Sequence, residues 1–140
     1  MAYYECLSNN DHINIGDSFT VNLTGSHNVA TTATVCYINK STICLLGDTS
    51  LGNANWGSQC AYAWYYTVNI NNKDYTGTCR IPTFAQIYSK CAGYKRSFSY
   101  WTSTESATYD AWVVFNSGQT YAPYGKEHGF DTIPFIEITL

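Results

Sequence analysis

YWTSTE at residues 100–105, AWVVFNSG at 111–118 and RIPTFAQI at 80–87 are the stretches that decide the expected fold. In the last of these, Pro82 precedes Thr83, which can cap a helix, and Gln86 follows where it completes a capping box. YWTSTE is an aromatic anchor before a polar loop, and AWVVFNSG is typical of a strand that ends in a turn. The helix is expected to start at Thr83 and to stop near Gly93.

The rest of the chain predicts short strands. Ala33–Ile38 and Thr42–Leu46 are expected to form a hairpin, and Asn71-Asn72 is expected to turn a strand within 61–70 into Lys73–Thr78. Further strands are expected at Phe19–Leu23 and Ile133–Leu140, with loops at Gly47–Ser58 and Ser117–Gly129. Many short strands and a single helix predict an α+β domain.

The composition indicates one domain that uses neutral polar residues for solubility. The chain has 140 residues, of which 45% are hydrophobic and only 12% are charged, and it contains 13 Tyr. We expect residues 1–140 to be one domain, with residues 1–32 as an attachment or edge segment. Tyr, Ser, Gly and Asn are typical of adaptable binding surfaces, although Tyr and Thr also suit strands.

Charge and hydropathy limit the partners. A net charge of −3 without a basic stripe argues against nucleic acid, and no apolar run is long enough for membrane insertion. The start, Met1–Glu5, does not resemble a signal peptide. The chain could therefore stay in the cytosol, leave by lysis or by assembly into a particle, or be an excised domain; we expect a virion or extracellular surface.

Six cysteines stand at positions 6, 36, 44, 60, 79 and 91, and none forms a zinc pattern with His. If Asn39–Ser41 is a hairpin loop, Cys36 lies directly opposite Cys44 and a disulfide becomes possible. The alternative is a pair of small buried thiols, which the missing signal peptide favours. No metal and no other cofactor is expected.

Catalytic patterns are sparse. His12, His27 and His128 are isolated, and the carboxylates of Glu105 and Asp110 could face one another only by way of a loop. No nucleophile elbow, phosphate loop or dinucleotide motif occurs. The sequence therefore predicts that the protein is not an enzyme.

Residues 79–140 resemble the Fibrobacter-type paralogous (Lcl-like) domains, which have a C-type-lectin-like fold. The resemblance is carried by Pro82, Thr83 and Gln86 at the helix start, by 100–104 and 111–118, and by the apolar stretch 133–136. Cys79 and Thr132 depart from the residues common in that family, where Trp or Gly and Arg are frequent. The resemblance implies an α+β domain of short, mostly antiparallel strands with one or two helices, whose loops carry binding specificity.

The resemblance has three implications for function. Calcium-dependent sugar binding in this fold uses motifs that are missing here, since Pro123 is flanked by Ala122 and Tyr124; binding is therefore expected to be calcium-independent. One branch of the fold comprises the variable proteins of diversity-generating retroelements, including phage receptor binders. Another comprises formylglycine-generating enzymes, which use cysteines and are much longer.

We expect a ligand-binding domain that presents its C-terminal loops to a cell-surface protein or glycan. Trp101 and Trp112 are expected to lie mostly in the core, with the binding residues around them. The alternatives are a structural subunit of a fibre, pilus or virion, which could be a homo-oligomer, and, less favoured, the enzyme. The candidate ligand-binding residues are Ser106, Thr108, Tyr109, Asp110, Asn116, Ser117, Gln119, Tyr121, Tyr124, Lys126 and His128.

Overall fold

The protein is mostly β-structure. The computed structural model describes residues 12–116 and 120–140, and assigns 52% strand and 10% helix, the helical part being two short helices. One sheet curls into a nearly closed, barrel-like form. The predicted α+β class, and with it the C-type-lectin-like fold, is therefore wrong. The capping signal at Thr83 correctly marks α2, but that helix has only seven residues, and the strands around it dominate the fold.

The described elements follow one another closely. In chain order they are β1 (Ser18–Gly25), β2 (Val29–Ile38), β3 (Thr42–Gly47), β4 (Asn53–Ala54), α1 (Trp56–Ala61), β5 (Trp64–Ile70), β6 (Lys73–Cys79), α2 (Phe84–Lys90), β7 (Tyr100–Glu105), β8 (Asp110–Phe115), β9 (Thr120–Gly125), β10 (Phe130–Asp131) and β11 (Phe135–Thr139).

The first sheet has six strands in the order β11-β3-β2-β1-β5-β6. Its two outer strands approach each other at a bridge between Arg80 and Phe135, where the Phe135 amide donates to the Arg80 carbonyl at 3.0 Å. This contact nearly closes the sheet and satisfies backbone groups at its edges. β1 lies between β2 and β5, so residues 18–25 of the expected attachment segment belong to the sheet.

The second sheet has five strands in the order β4-β10-β7-β8-β9. β9 is its outer strand and contains Pro123, which stands opposite Trp112. An edge position suits proline, because the missing N–H would otherwise break a hydrogen bond inside the sheet. The prediction that residues 117–129 form only a loop is wrong for Thr120–Gly125.

Two buried clusters hold the sheets together. The first fills the barrel with residues such as Val21, Leu45 and Val68, and extends to Trp101 and Val113 of the second sheet. The second cluster lies between the outside of β2 and β3, helix α2 and the other face of the second sheet; it contains Cys36, Cys44, Leu46, Ile87, Cys91, Tyr100, Val114, Ile133 and Phe135. β3 is consequently apolar on both faces.

Several local predictions are confirmed. The β2–β3 hairpin forms, Asn71 and Asn72 turn β5 into β6 with positive φ angles of 53° and 68°, and Thr83 caps α2 with the capping box to Gln86 complete. Trp101 is fully buried as expected, whereas Trp112 is only half-buried. Helix α1 was not predicted: Trp56–Ser58 were interpreted as the end of a loop that includes Gly57, and Ala61 as the start of a strand.

Candidate functional site

Strand directions divide the predicted binding residues between the two ends of the second sheet. Residues 106–109 join β7 to β8, and residues 126–129 follow β9, so both loops lie at the same end. Asn116 lies at the opposite end, about 20 Å from Asp110 at about 3.4 Å per residue along β8. Ser117 and Gln119 lie outside the described residues.

Lys126 joins the two loops at the first end. Its ammonium group forms an ion pair with Glu105 and donates a hydrogen bond of 2.8 Å to the carbonyl of Thr108. Its backbone N–H donates to the carbonyl of Tyr109 at 2.9 Å. Lys126 is one of the predicted ligand-binding residues; its side chain is 20% exposed and holds the neighbouring loop.

Trp56 contacts both the side chain and the backbone of Lys126. The lysine ammonium lies 4.5 Å from the centre of the indole ring, a cation–π contact, and the Trp56 amide donates to the Lys126 carbonyl at 3.1 Å. The indole N–H donates to the carbonyl of Thr102 in β7 at 3.0 Å. Helix α1 thus connects the loop end to the sheet, a role that the sequence did not indicate because Trp56 was assigned to a loop.

The loop that Lys126 holds presents Tyr109 to solvent. The Tyr109 side chain is 81% exposed, the most exposed of the described large apolar residues. Beneath it, the amides of Ser106 and Ala107 both donate to the carbonyl of Asp110, at 3.0 and 3.1 Å. The Ser106 hydroxyl is buried and has no hydrogen-bond partner among the described residues, so solvent does not reach it in this structure.

His128 and Tyr124 flank this end. The two rings meet edge to face with centroids 4.8 Å apart, and His128 also lies 3.3 Å from a Glu127 carboxylate oxygen. Both side chains are exposed. Together with Tyr109 they give this end aromatic and hydrogen-bonding groups. We call residues 106–109 and 124–128 the Tyr109 end.

Tyr121 lies on another surface. It packs edge to face against Phe84 at 5.1 Å and against Tyr88 at 6.1 Å, while Phe84 stacks on Trp112 at 5.0 Å. These four residues form a half-exposed aromatic cluster between α2 and β9, in which Tyr88 is 65% exposed. The sequence missed this cluster, because the pairing of β8 with β9 that brings Tyr121 there was not predicted.

The groups considered for catalysis have structural partners. The carboxylate of Glu105 pairs with Lys126 rather than with Asp110, and His27 accepts a 3.0 Å hydrogen bond from the indole N–H of Trp64. A cavity of about 280 Å³ lies between α2 and the closure of the first sheet, with Cys60 and Cys79 in its wall. Burial raises the pKa of Cys79 from 9.0 to about 12 and also raises the pKa of Cys60. Both thiols are therefore protonated near neutral pH.

Within residues 12–116 and 120–140, no three His, Cys, Asp or Glu side chains are grouped so that they could bind a metal ion. No helix in the same residues is long and apolar enough to cross a membrane.

No protein-family model matches the chain, and no curated protein matches it either. The resemblance to the Fibrobacter-type domains stays a prediction, although the fold that it implied differs from the one observed.

Proposed function

We propose that this protein is a non-enzymatic binding domain that contacts a protein or glycan on a cell surface through the Tyr109 end. The observation that carries the proposal is an exposed tyrosine on a loop whose backbone is fixed on both sides. Lys126 binds the carbonyls of Thr108 and Tyr109, by its ammonium and its amide respectively.

A fixed aromatic side chain is an economical contact residue. Ordering a flexible loop on binding costs free energy, and a loop that is already ordered avoids most of that cost. Tyrosine adds a flat apolar ring and one hydroxyl for few rotatable bonds, which suits both stacking on sugars and packing on proteins. His128 and Tyr124 at the same end add further ring surface and hydrogen-bonding atoms.

Two features favour binding over catalysis. The cavity thiols have raised pKa values, which disfavours the thiolate that a cysteine nucleophile needs. Lys126, which holds the Tyr109 loop, and Glu105 are paired with each other, which reduces their availability for proton transfer. Pro123 on the outer strand β9 also disfavours assembly by strand addition at that edge.

The test is binding of fluorescently labelled protein to a panel of intact bacterial and animal cells, measured by flow cytometry. Protease treatment of the cells should abolish binding to a protein receptor, whereas periodate oxidation should abolish binding to a glycan. On cells that bind the unmodified protein, Tyr109→Ala should weaken binding about tenfold or more, as expected for a central aromatic contact.

The matched control is Tyr65→Ala. Tyr65 is also an exposed tyrosine, at 50%, but it lies on β5 of the other sheet. Equal binding by Tyr109→Ala and the unmodified protein would refute the proposed surface, and an equal loss with Tyr65→Ala would show that the effect is not local. If no cell in the panel binds the unmodified protein while it forms oligomers in light scattering, the assembly role replaces the binding role.

A further inference from the structure

Two cysteines that are far apart in sequence meet in the second buried cluster. The sulfur atoms of Cys36 and Cys91 lie 2.6 Å apart, across a sequence separation of 55 residues. Cys36 is 6% exposed and Cys91 is fully buried. The sequence did not indicate the contact between Cys36 and Cys91; it suggested only that Cys36 could pair with Cys44.

A β-bulge brings Cys36 to this position. In the β2–β3 pair, Val35 stands opposite Leu45 and Tyr37 opposite Cys44, so Cys36 is the extra residue that has no partner across the pair. Bulges redirect a side chain and bend the strand locally. Val35 consequently packs in the barrel cluster, whereas the Cys36 side chain faces helix α2 in the other cluster.

Cys91 is held at the C-terminal end of α2. As the residue that caps this helix, it donates its amide to the carbonyl of Ile87 at 2.9 Å, and its own carbonyl accepts from the amide of Tyr94 at 3.0 Å. Both backbone groups are thus fixed, and Ile87 is buried beside them. The two sulfur atoms therefore lie close together because the C-terminal end of α2 packs against β2, and both elements are held by backbone hydrogen bonds.

We propose that Cys36 and Cys91 are a redox pair that forms a disulfide with a low-molecular-weight disulfide, such as oxidised glutathione, as the oxidant. One protein thiolate attacks the glutathione disulfide and releases one glutathione thiol, giving a mixed disulfide. The second protein thiolate then attacks the mixed disulfide at the protein sulfur and releases the second glutathione thiol. Two electrons pass from the protein thiols to the oxidant, and the two thiol protons end on the two released glutathione molecules.

Cys44 and metal binding are the competing explanations for this cluster. The Cys36 thiol contacts the backbone carbonyl of Cys44 at 3.5 Å, whereas it contacts the sulfur of Cys91. A zinc site would need a group of at least three ligands, and no such group occurs within the described part of the chain. A pair of sulfur atoms without further ligands favours a disulfide.

Burial determines when the bond can form. The hydrogen bond with Cys36, and next to it burial, raise the pKa of Cys91 far above its ordinary value, so the folded protein offers little Cys91 thiolate, and both sulfur atoms are buried away from a reagent. Formation is therefore expected during folding, or when the end of α2 opens, and slowly in the closed protein. Once formed, the bond would fasten α2, with Phe84 and Tyr88 of the aromatic cluster, to β2.

Trypsin separates the cysteines in a way that identifies the pair. Cleavage after Lys40, Lys73, Lys90 and Lys95 leaves Cys36 in peptide 1–40, Cys44 together with Cys60 in peptide 41–73, and Cys91 in the short peptide 91–95. Peptide 1–40 also contains Cys6, so the mapping is done on the Cys6→Ser protein. The denatured, reduced protein is refolded in a glutathione redox buffer, alkylated, digested and analysed by mass spectrometry with and without reduction.

The expected result is a peptide 1–40 linked to peptide 91–95, which separates on reduction. A link from 1–40 to 41–73, or alkylated thiols at both Cys36 and Cys91 in buffer containing excess oxidised glutathione, would overturn the proposal. The oxidised protein should also melt on the order of 10 °C above the reduced protein, because the bond closes a long loop. Cys60→Ser is the matched control and should keep both the linked peptide and the shift, whereas Cys36→Ala should lose both. The peptide map decides the question even if a variant folds poorly.

Discussion

Replacing Lys126 with methionine tests whether this lysine holds the Tyr109 loop. Methionine keeps a long apolar side chain but removes the ammonium group, and with it three interactions: the hydrogen bond to Thr108, the ion pair with Glu105 and the contact with the Trp56 ring. The backbone bond from the Lys126 amide to Tyr109 is retained in principle. The substitution therefore isolates the charged group.

The expected cost is about 2 kcal/mol of unfolding free energy. A hydrogen bond from a charged, partly buried donor contributes about 1 kcal/mol after allowance for water that can reach the freed carbonyl. The ion pair contributes about 0.3 kcal/mol, because Glu105 is mostly exposed and solvent screens it. The cation–π contact adds about 0.7 kcal/mol.

Urea unfolding followed by tryptophan fluorescence measures this cost, and hydrogen exchange locates it. The amides of Ser106 and Ala107 donate to the carbonyl of Asp110, and the amide of Lys126 donates to that of Tyr109. These three amides should exchange faster in the variant. Amides of β1, which lies in the other sheet, should exchange through local opening at the same rate in the variant and in the unmodified protein. Binding to cells should weaken in parallel with the loss of loop order, although Tyr109 itself is unchanged.

Lys73→Met is the control for the loss of one positive charge. Lys73 also lies over a ring, that of Tyr75 at 5.2 Å, but it is exposed, and its cost should stay below about 0.5 kcal/mol. An equal cost for the two variants, or unchanged exchange of the three loop amides in Lys126→Met, would contradict the reasoning.

Three further predictions concern stability. Arg96→Met removes the donors to the carbonyls of Leu46 and Gly47 and to the carboxylate of Asp48. It should lower the free energy of unfolding in urea by about 3 kcal/mol, and a decrease under about 1 kcal/mol would contradict this. Thr83→Ala removes the cap of α2 and should cost about 1 kcal/mol, whereas Thr83→Ser should restore most of it. Burial raises the pKa of Cys79 from 9.0 in the unfolded chain to about 12 in the folded protein. The contribution of the protonated thiol to the free energy of unfolding is therefore fully present below pH 9 and is lost as the pH rises to 12. Cys79→Ala should therefore make the pH dependence of unfolding free energy between pH 9 and 12 flatter by about 1.4 kcal/mol per unit, and an unchanged slope would show that this thiol does not titrate there.

The features that could be predicted from sequence are those decided by neighbouring residues. The capping box of Thr83 and Gln86 lies within one turn, and the Asn71-Asn72 turn needs only residues that tolerate positive φ. The hairpin of β2 and β3 was recognised from apolar patterns on both sides of a short loop. Its bulge was not, because one extra residue at Cys36 leaves no signature in the pattern.

The overall architecture depended on contacts between distant residues. The bridge from Arg80 to Phe135 closes the first sheet across more than fifty positions, and nothing in either local sequence predicts it. β9 was hidden for a different reason: Pro123 and the flanking tyrosines are typical of loops, yet an outer strand accepts proline. Without β9, the position of Tyr121 beside Tyr88 could not be foreseen.

The candidate site shows the same division between local and distant causes. Sequence reasoning correctly placed Tyr109 in an exposed loop, but it treated Lys126 and Asp110 as equal candidates for ligand contact. A polar group that already has an internal hydrogen-bond partner is less available to an external ligand. Lys126 satisfies Glu105 and Thr108, and the carbonyl of Asp110 accepts two amides of its own loop. The Lys126 ammonium and the loop backbone are thus paired internally, which fixes the loop and leaves the tyrosine ring free, so the proposed binding energy is assigned chiefly to Tyr109.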